Sequence, residues 1–154
     1  MKIKIGDFLL KRLKEIGIKH IIGVPGDFNL QWLEQVRECQ GIEFIGSSNE
    51  LNAAYAADGY SREFGISALS LTYGVGDLGA LPAVAGSHAE HVPVIVISGA
   101  PPLYAIKNNY RIHHSLGDGD LSNIRNAYEE FALDSSLITP FNAQEEIDRL
   151  IKLG

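Results

Sequence analysis

Short apolar runs alternate with helical patterns along almost the whole chain of 154 residues, and this alternation constrains the fold more than any other feature. The strand-like runs cover Ile18–Val24, Ile42–Ile45, Ile66–Tyr73 and Pro93–Ser98, with a shorter one at Ser136–Ile138. The helical patterns cover Phe8–Ile16, Phe28–Cys39, Glu50–Phe64, Asp77–His88, Leu121–Phe131 and Asn142–Leu150. Strands that alternate with helices predict an α/β fold, a doubly wound and mainly parallel sheet flanked by helices on both faces.

Composition narrows the classes of function. A net charge of −6, without a patch in which basic and aromatic residues interleave, argues against nucleic acid and anionic membrane surfaces as partners. The single Cys39 excludes an internal disulfide and a multi-cysteine metal site. Apolar runs are too short to span a membrane, and the N-terminus lacks a signal-peptide pattern. We therefore expect one cytoplasmic domain.

Candidate functional residues follow the predicted strands, at the points where the strands end. They are Asp27 after the first strand, Glu50 after the second, Gly74-Val75-Gly76 after the third, and His113 and His114 in the irregular segment, Gly99 to about Asp120, after the fourth. Ligands of open parallel sheets bind beyond the carboxyl ends of the strands, so these residues are expected at one edge of the sheet. Adjacent side chains diverge in extended backbone, so we expect one histidine to face a site and the other to orient it or to pack.

Each candidate also has a purely structural interpretation. Asn49 is a favourable N-cap, and Glu50 is then a helix-start carboxylate that suits the helix dipole. Asp27 after Pro25-Gly26 is typical of a turn, the two histidines could be unrelated loop neighbours, and the glycines could serve a turn without a ligand.

Two glycine motifs are ambiguous. The stretch Gly74-Val75-Gly76-Asp77-Leu78-Gly79 fits the dinucleotide-binding pattern, but the strand that follows ends in Ser98-Gly99-Ala100, without an acidic residue for a ribose. Gly117-Asp118-Gly119 is similar to the start of the motif that holds Mg²⁺ and diphosphate in thiamine enzymes. The asparagine at the required distance is not convincing, so no metal ligand is assigned within this chain.

The combination of motifs resembles one family. The matching stretches are Gly23–Leu30, Asn49–Tyr60, Tyr73–Leu78, Ala89–Val94 and His113–Asp120. Together they resemble the N-terminal pyrimidine-binding domain of thiamine-diphosphate-dependent 2-oxo acid decarboxylases, and the double histidine is typical of the pyruvate and indolepyruvate decarboxylase branch. The resemblance covers nearly the whole chain in the order of the family.

The resemblance implies a role for each candidate residue. Glu50 would hydrogen-bond N1′ of the cofactor's aminopyrimidine, which promotes removal of the thiazolium C2 proton, and it would be shielded from water with a raised pKa. Pro25, Gly74 and Val75 would line the pyrimidine pocket. The remaining polar residues, Asp27, His113 and His114, would handle protons on the intermediate and release the aldehyde.

The resemblance also implies partners. In this family a C-terminal domain holds the diphosphate and Mg²⁺, and the active site lies between domains of two subunits of a homo-oligomer, a dimer or tetramer. We expect residues 1–154 to lack the last strand of the domain and to be a fragment, a truncated product or one subunit of a split enzyme. Two alternatives stay open: a non-catalytic interaction module that keeps the fold, and a dinucleotide-binding domain. The identity of the 2-oxo acid cannot be inferred from this chain.

Overall fold

A computed structural model describes residues 3–153 of the chain. Its sheet has four strands: β1 (His20–Gly23), β2 (Glu43–Gly46), β3 (Ser67–Leu71) and β4 (Val94–Ser98). The strands pair in the order β2-β1-β3-β4, and all three pairings are parallel. The predicted parallel α/β sheet is therefore confirmed.

Seven helices lie between and around the strands in the described residues. They are α1 (Ile5–Glu15), α2 (Leu30–Glu38), α3 (Glu50–Phe64), α4 (Val75–Ala89), α5 (Leu103–Lys107), α6 (Asn123–Glu129) and α7 (Ala143–Ile151). The predicted bounds of α3 match the observed ones. The Asn49 side chain caps the helix by accepting a hydrogen bond from the Asn52 N–H at 2.9 Å, which fixes where the helix begins.

Alternating side chains of the strands divide the core into two clusters, one on each face of the sheet. On one face, Ile22 of β1 and Leu69 of β3 pack with the small residues of α3 and α4. On the other face, Ile21 and Ala68 pack with the apolar sides of α1 and α2. This period of two confirms the doubly wound arrangement, in which helices cover both faces.

Two elements differ from the sequence prediction. The segment Ser136–Ile138 forms no strand, and the Asn142 side chain bonds instead to the backbone there: Nδ2 donates to the carbonyl of Leu137, and Oδ1 accepts from the N–H of Thr139, just after the segment. The segment predicted to be irregular contains one short helix, α5, which begins after Pro102. Pro102 is the N-cap and has a non-helical ψ of 142°, so the helical backbone begins only at Leu103.

None of the helices among residues 3–153 combines the length and apolar character that crossing a membrane requires.

Candidate active site at the carboxyl edge of the sheet

The turn after β1 is held by a buried amide. Asn29 is fully buried; its Oδ1 accepts from the N–H of Gly26 at 2.8 Å, and its Nδ2 donates to the carbonyl of Val24 at 3.0 Å. These bonds fix the loop that presents Pro25 and Asp27, whose side chains are exposed. The sequence reasoning did not assign this role to Asn29, although asparagine near a Pro-Gly turn is a known signal for side-chain bonding to the backbone.

Glu50 begins α3 and lies against the first turn of α4. A Cβ added at Gly76 would lie 3.4 Å from Oε1 of Glu50, and one at Gly79 would lie 3.4 Å from its Cβ. The side chain of Glu50 is half-buried. The glycines of the dinucleotide-like pattern therefore make room for a carboxylate, which explains the motif without a nucleotide.

Gly74 brings the end of β3 against the histidine loop. Its φ of 78° lies in the left-handed region that favours glycine, and a Cβ there would overlap the carbonyl oxygen of His114. Val75, the next residue, is exposed. Gly74 is thus required both by backbone conformation and by close approach.

Both histidines converge on Asp27, so the expected divergence of their side chains is wrong. Nε2 of His113 hydrogen-bonds Oδ2 of Asp27, and Nδ1 of His114 lies 3.8 Å from Oδ1. The expectation assumed extended backbone, but His114 has a φ of 62°. This turn places the two rings 4.7 Å apart in an edge-to-face contact on the same side of the loop.

The Phe28 ring contacts the rings of both His113 and His114. Its ring stacks on His113 with a centroid distance of 5.0 Å and meets His114 edge-on at 5.9 Å. The hydrogen bond from His113 lowers the pKa of the Asp27 carboxyl, and the charge of both histidines when protonated acts in the same direction. The cluster therefore places a carboxylate with a lowered pKa beside two imidazoles, side chains that can both accept and donate protons.

Asp77 is a buried carboxylate that the sequence reasoning considered only as part of the glycine motif. Its Oδ2 accepts from the N–H of Gly74 and from the hydroxyl of Ser98, both at 2.9 Å. Burial raises the pKa of its carboxyl from 3.8 to about 6, the two hydrogen bonds oppose that rise, and the nearby Glu50 carboxylate adds to it. Asp77 thus ties the Gly74 turn to the end of β4.

Asp77 is expected to make stability fall as pH rises from about 4 to about 6. The folded state holds the proton of this buried acid more tightly than the unfolded chain, whose carboxyl ionises near 3.8. The difference of about two pKa units corresponds to about 3 kcal/mol. Urea unfolding at several pH values in this range measures the effect. The free energy of unfolding of wild type should fall by about 3 kcal/mol relative to that of the Asp77→Asn variant. A difference between the two proteins that does not change with pH would contradict this origin.

Known proteins are similar to this chain in sequence or in fold. Residues 3–124 match the family model described as "Thiamine pyrophosphate enzyme, N-terminal TPP binding domain". The alpha-keto-acid decarboxylases of Mycobacterium leprae (strain TN) and Mycobacterium tuberculosis (strain ATCC 25618 / H37Rv) are each 48% identical over 147 residues. The alignment covers 96% of this chain and 26% of each relative, so the chain spans about a quarter of the length of these curated relatives.

A solved structure shows the same fold. The Rhodococcus jostii RHA1 thiamine diphosphate-dependent 4-hydroxybenzoylformate decarboxylase superimposes with a TM-score of 0.83 over 97% of this chain and 27% of that chain. At 18% sequence identity this likeness shows the fold alone.

Proposed function

The chain belongs to the family of N-terminal thiamine-pyrophosphate-binding domains of thiamine pyrophosphate enzymes, and from this premise we propose that it forms the pyrimidine-binding half of a 2-oxo acid decarboxylase. The observation that supports this most is the placement of Glu50 and of the Asp27–His113–His114 cluster at one edge of the sheet. The names of the mycobacterial relatives favour the same class of reaction.

The Glu50 carboxylate is our candidate for proton exchange at N1′ of the aminopyrimidine. Thiamine diphosphate, when bound, supplies the electron sink for loss of CO₂ from the 2-oxo acid. The residues of this chain fit such a group, because Gly76 and Gly79 let the Glu50 side chain lie against α4, where it stays half-buried at this edge of the sheet. Gly74 and Val75 at the start of α4, with Pro25 on the neighbouring turn, are proposed to line the pyrimidine pocket.

The Asp27–His113–His114 cluster is proposed to manage protons after CO₂ has left. His113 donates to Asp27, so a proton can move between a ring nitrogen and a carboxylate without a change in the backbone. His114 presents a second ring nitrogen to the same carboxylate at 3.8 Å. Such a set can protonate the substrate carbon and accept the proton that aldehyde release sets free.

The other half of the site is proposed to come from outside residues 1–154. A separate domain or subunit would hold the diphosphate and Mg²⁺, and the active protein would be a dimer or tetramer. Glu50 is only half-buried in this chain. The apolar side chains of Leu51, which follows it, and of Val75 and Leu78 in the first turn of α4 are exposed. Covering these side chains with a partner would also complete the shielding of Glu50 from water.

The experiment compares this chain with the complete protein that contains it. Each is incubated with thiamine diphosphate, Mg²⁺ and pyruvate, indolepyruvate or a branched-chain 2-oxo acid, and CO₂ and aldehyde are measured. We expect the complete protein to release CO₂ from at least one acid and the isolated chain to release none. A complete protein without activity would favour a non-catalytic module, and robust release by the isolated chain would refute the division of the site.

A further inference from the structure

The Asp27–His113–His114 cluster also has the composition of a metal site. One carboxylate oxygen of Asp27 and one ring nitrogen of each histidine lie within 4.8 Å of one another, and this is the one group of its kind found among residues 3–153. Two imidazoles and one carboxylate are a frequent ligand set for zinc and other transition-metal ions. No metal ligand is assigned from the sequence, but the structure gathers three side chains that can act as ligands.

His114 presents a nitrogen that lacks a hydrogen-bond partner. Its Nδ1 is buried and has no partner within the described part of the chain. The nearest carboxylate oxygen, Oδ1 of Asp27, lies 3.8 Å away, which is too far for a hydrogen bond. Two ligand atoms of a tetrahedral zinc ion are separated by about 3.3 Å, so a small closing movement would let one ion bridge them.

The surrounding residues hold this arrangement before any ion arrives. Phe28 stacks on His113 and contacts the edge of His114, and the close approach of Gly74 fixes the carbonyl of His114. The left-handed backbone at His114 keeps the two rings on one side of the loop. Because the ligands are already gathered, binding would cost little ordering of side chains.

The cluster is also open to ions from solvent. The side chains of Asp27 and His113 are 51% and 59% exposed. A bound ion would therefore keep one or more positions for water, as in zinc sites with three protein ligands. Mg²⁺ prefers oxygen ligands, so it would not be selected by two nitrogens.

We propose that Asp27, His113 and His114 bind one divalent transition-metal ion of the Zn²⁺ type. The ion takes the place of the proton on Nε2 of His113. That proton passes to solvent or to Nδ1 of the same ring, and no electrons are exchanged. A carboxylate and two rings engaged in this way cannot exchange protons, so the ion would inhibit any reaction that uses them. The inference rests on the geometry of this chain and does not need the proposed decarboxylase activity.

The test is calorimetric titration of the purified chain with ZnCl₂, alongside the variants Asp27→Asn, His113→Ala and His114→Ala. We expect one ion per chain and at least about tenfold weaker binding in each variant, because loss of an outer-shell contact alone has that effect. The matched controls His91→Ala and Cys39→Ser, which remove other metal-binding side chains, should bind within about twofold of wild type. MgCl₂ should give no saturable binding.

A spectroscopic titration with CoCl₂ separates this site from unspecific binding. The visible absorption of four-coordinate cobalt should appear in wild type and in both controls, and disappear in the three variants. Asp27→Asn preserves the shape of the side chain. It therefore still tests the proposed metal site if a histidine variant fails to fold. Absence of Zn²⁺ binding, or binding that the controls abolish and Asp27→Asn leaves intact, would overturn the proposal.

Discussion

Replacing Glu50 with glutamine in the complete protein is expected to slow the proposed CO₂ release by about 10² to 10⁴-fold, the usual contribution of a positioned acid or base. Glutamine has the shape of glutamate but cannot exchange a proton at N1′ of the aminopyrimidine. Because α3 begins at this residue and its cap comes from Asn49, the fold should be unaffected. The measurement is steady-state CO₂ release at saturating thiamine diphosphate and Mg²⁺.

A matched control is Glu63→Gln, an exposed glutamate near the other end of the same helix. It should leave the rate within about twofold of wild type. Unfolding curves of both variants separate a loss of chemistry from a loss of fold. Turnover of Glu50→Gln at the wild-type rate would remove this residue from the mechanism, even if the rest of the proposed function held.

Replacing Gly74 with alanine is expected to lower the free energy of unfolding by about 3 kcal/mol. A left-handed backbone costs a residue with a Cβ about 1 kcal/mol, and overpacking adds about 1–3 kcal/mol. The added methyl group would overlap the carbonyl oxygen of His114, and the loop would have to move away from Asp27. Urea unfolding measures the free energy, and NMR signals of the His113 and His114 rings report the displacement.

Gly17→Ala distinguishes the two causes. Gly17 has a φ of 90°, similar to Gly74, but a Cβ there would meet nothing within 4 Å. Its replacement should cost about 1 kcal/mol and leave both histidine rings unaffected. Equal costs at the two positions would show that the contact with His114 contributes nothing.

Much of this architecture follows from the sequence by local rules. Asn49 and the alanine-rich segment after it predict the start of α3, and the structure confirms it. The alternation of apolar segments predicts the parallel sheet, and parallel strands bring their carboxyl ends to one edge, which places Asp27 and Glu50 there. These steps need only chain periodicity and the rule for ligand sites in open sheets.

The features that the sequence did not predict depend mostly on contacts between residues that are distant in sequence. The positive φ of His114 is stabilised by a loop that packs on Gly74 and Phe28, which local patterns do not reveal. In the sequence, Asp77 is one position of a glycine motif. Local patterns do not indicate that it is buried and accepts a hydrogen bond from Ser98. The segment Ser136–Ile138 has strand-like residues, but the Asn142 side chain, outside the segment, bonds to the carbonyl of Leu137 and to the N–H of Thr139.

Three glycines at this edge, one in the turn after β1 and two at the start of α4, leave no room for a side chain. A Cβ at Gly26 would lie 2.5 Å from the Cβ of Thr72, one at Gly76 would lie 2.9 Å from its Cγ2, and one at Gly74 would meet backbone. The space in front of these three glycines is already occupied by the Thr72 side chain or by backbone, so a larger residue at any of them would force a neighbour to move. Variants designed to reshape the proposed site should accordingly keep these glycines and vary exposed neighbours such as Val75 instead.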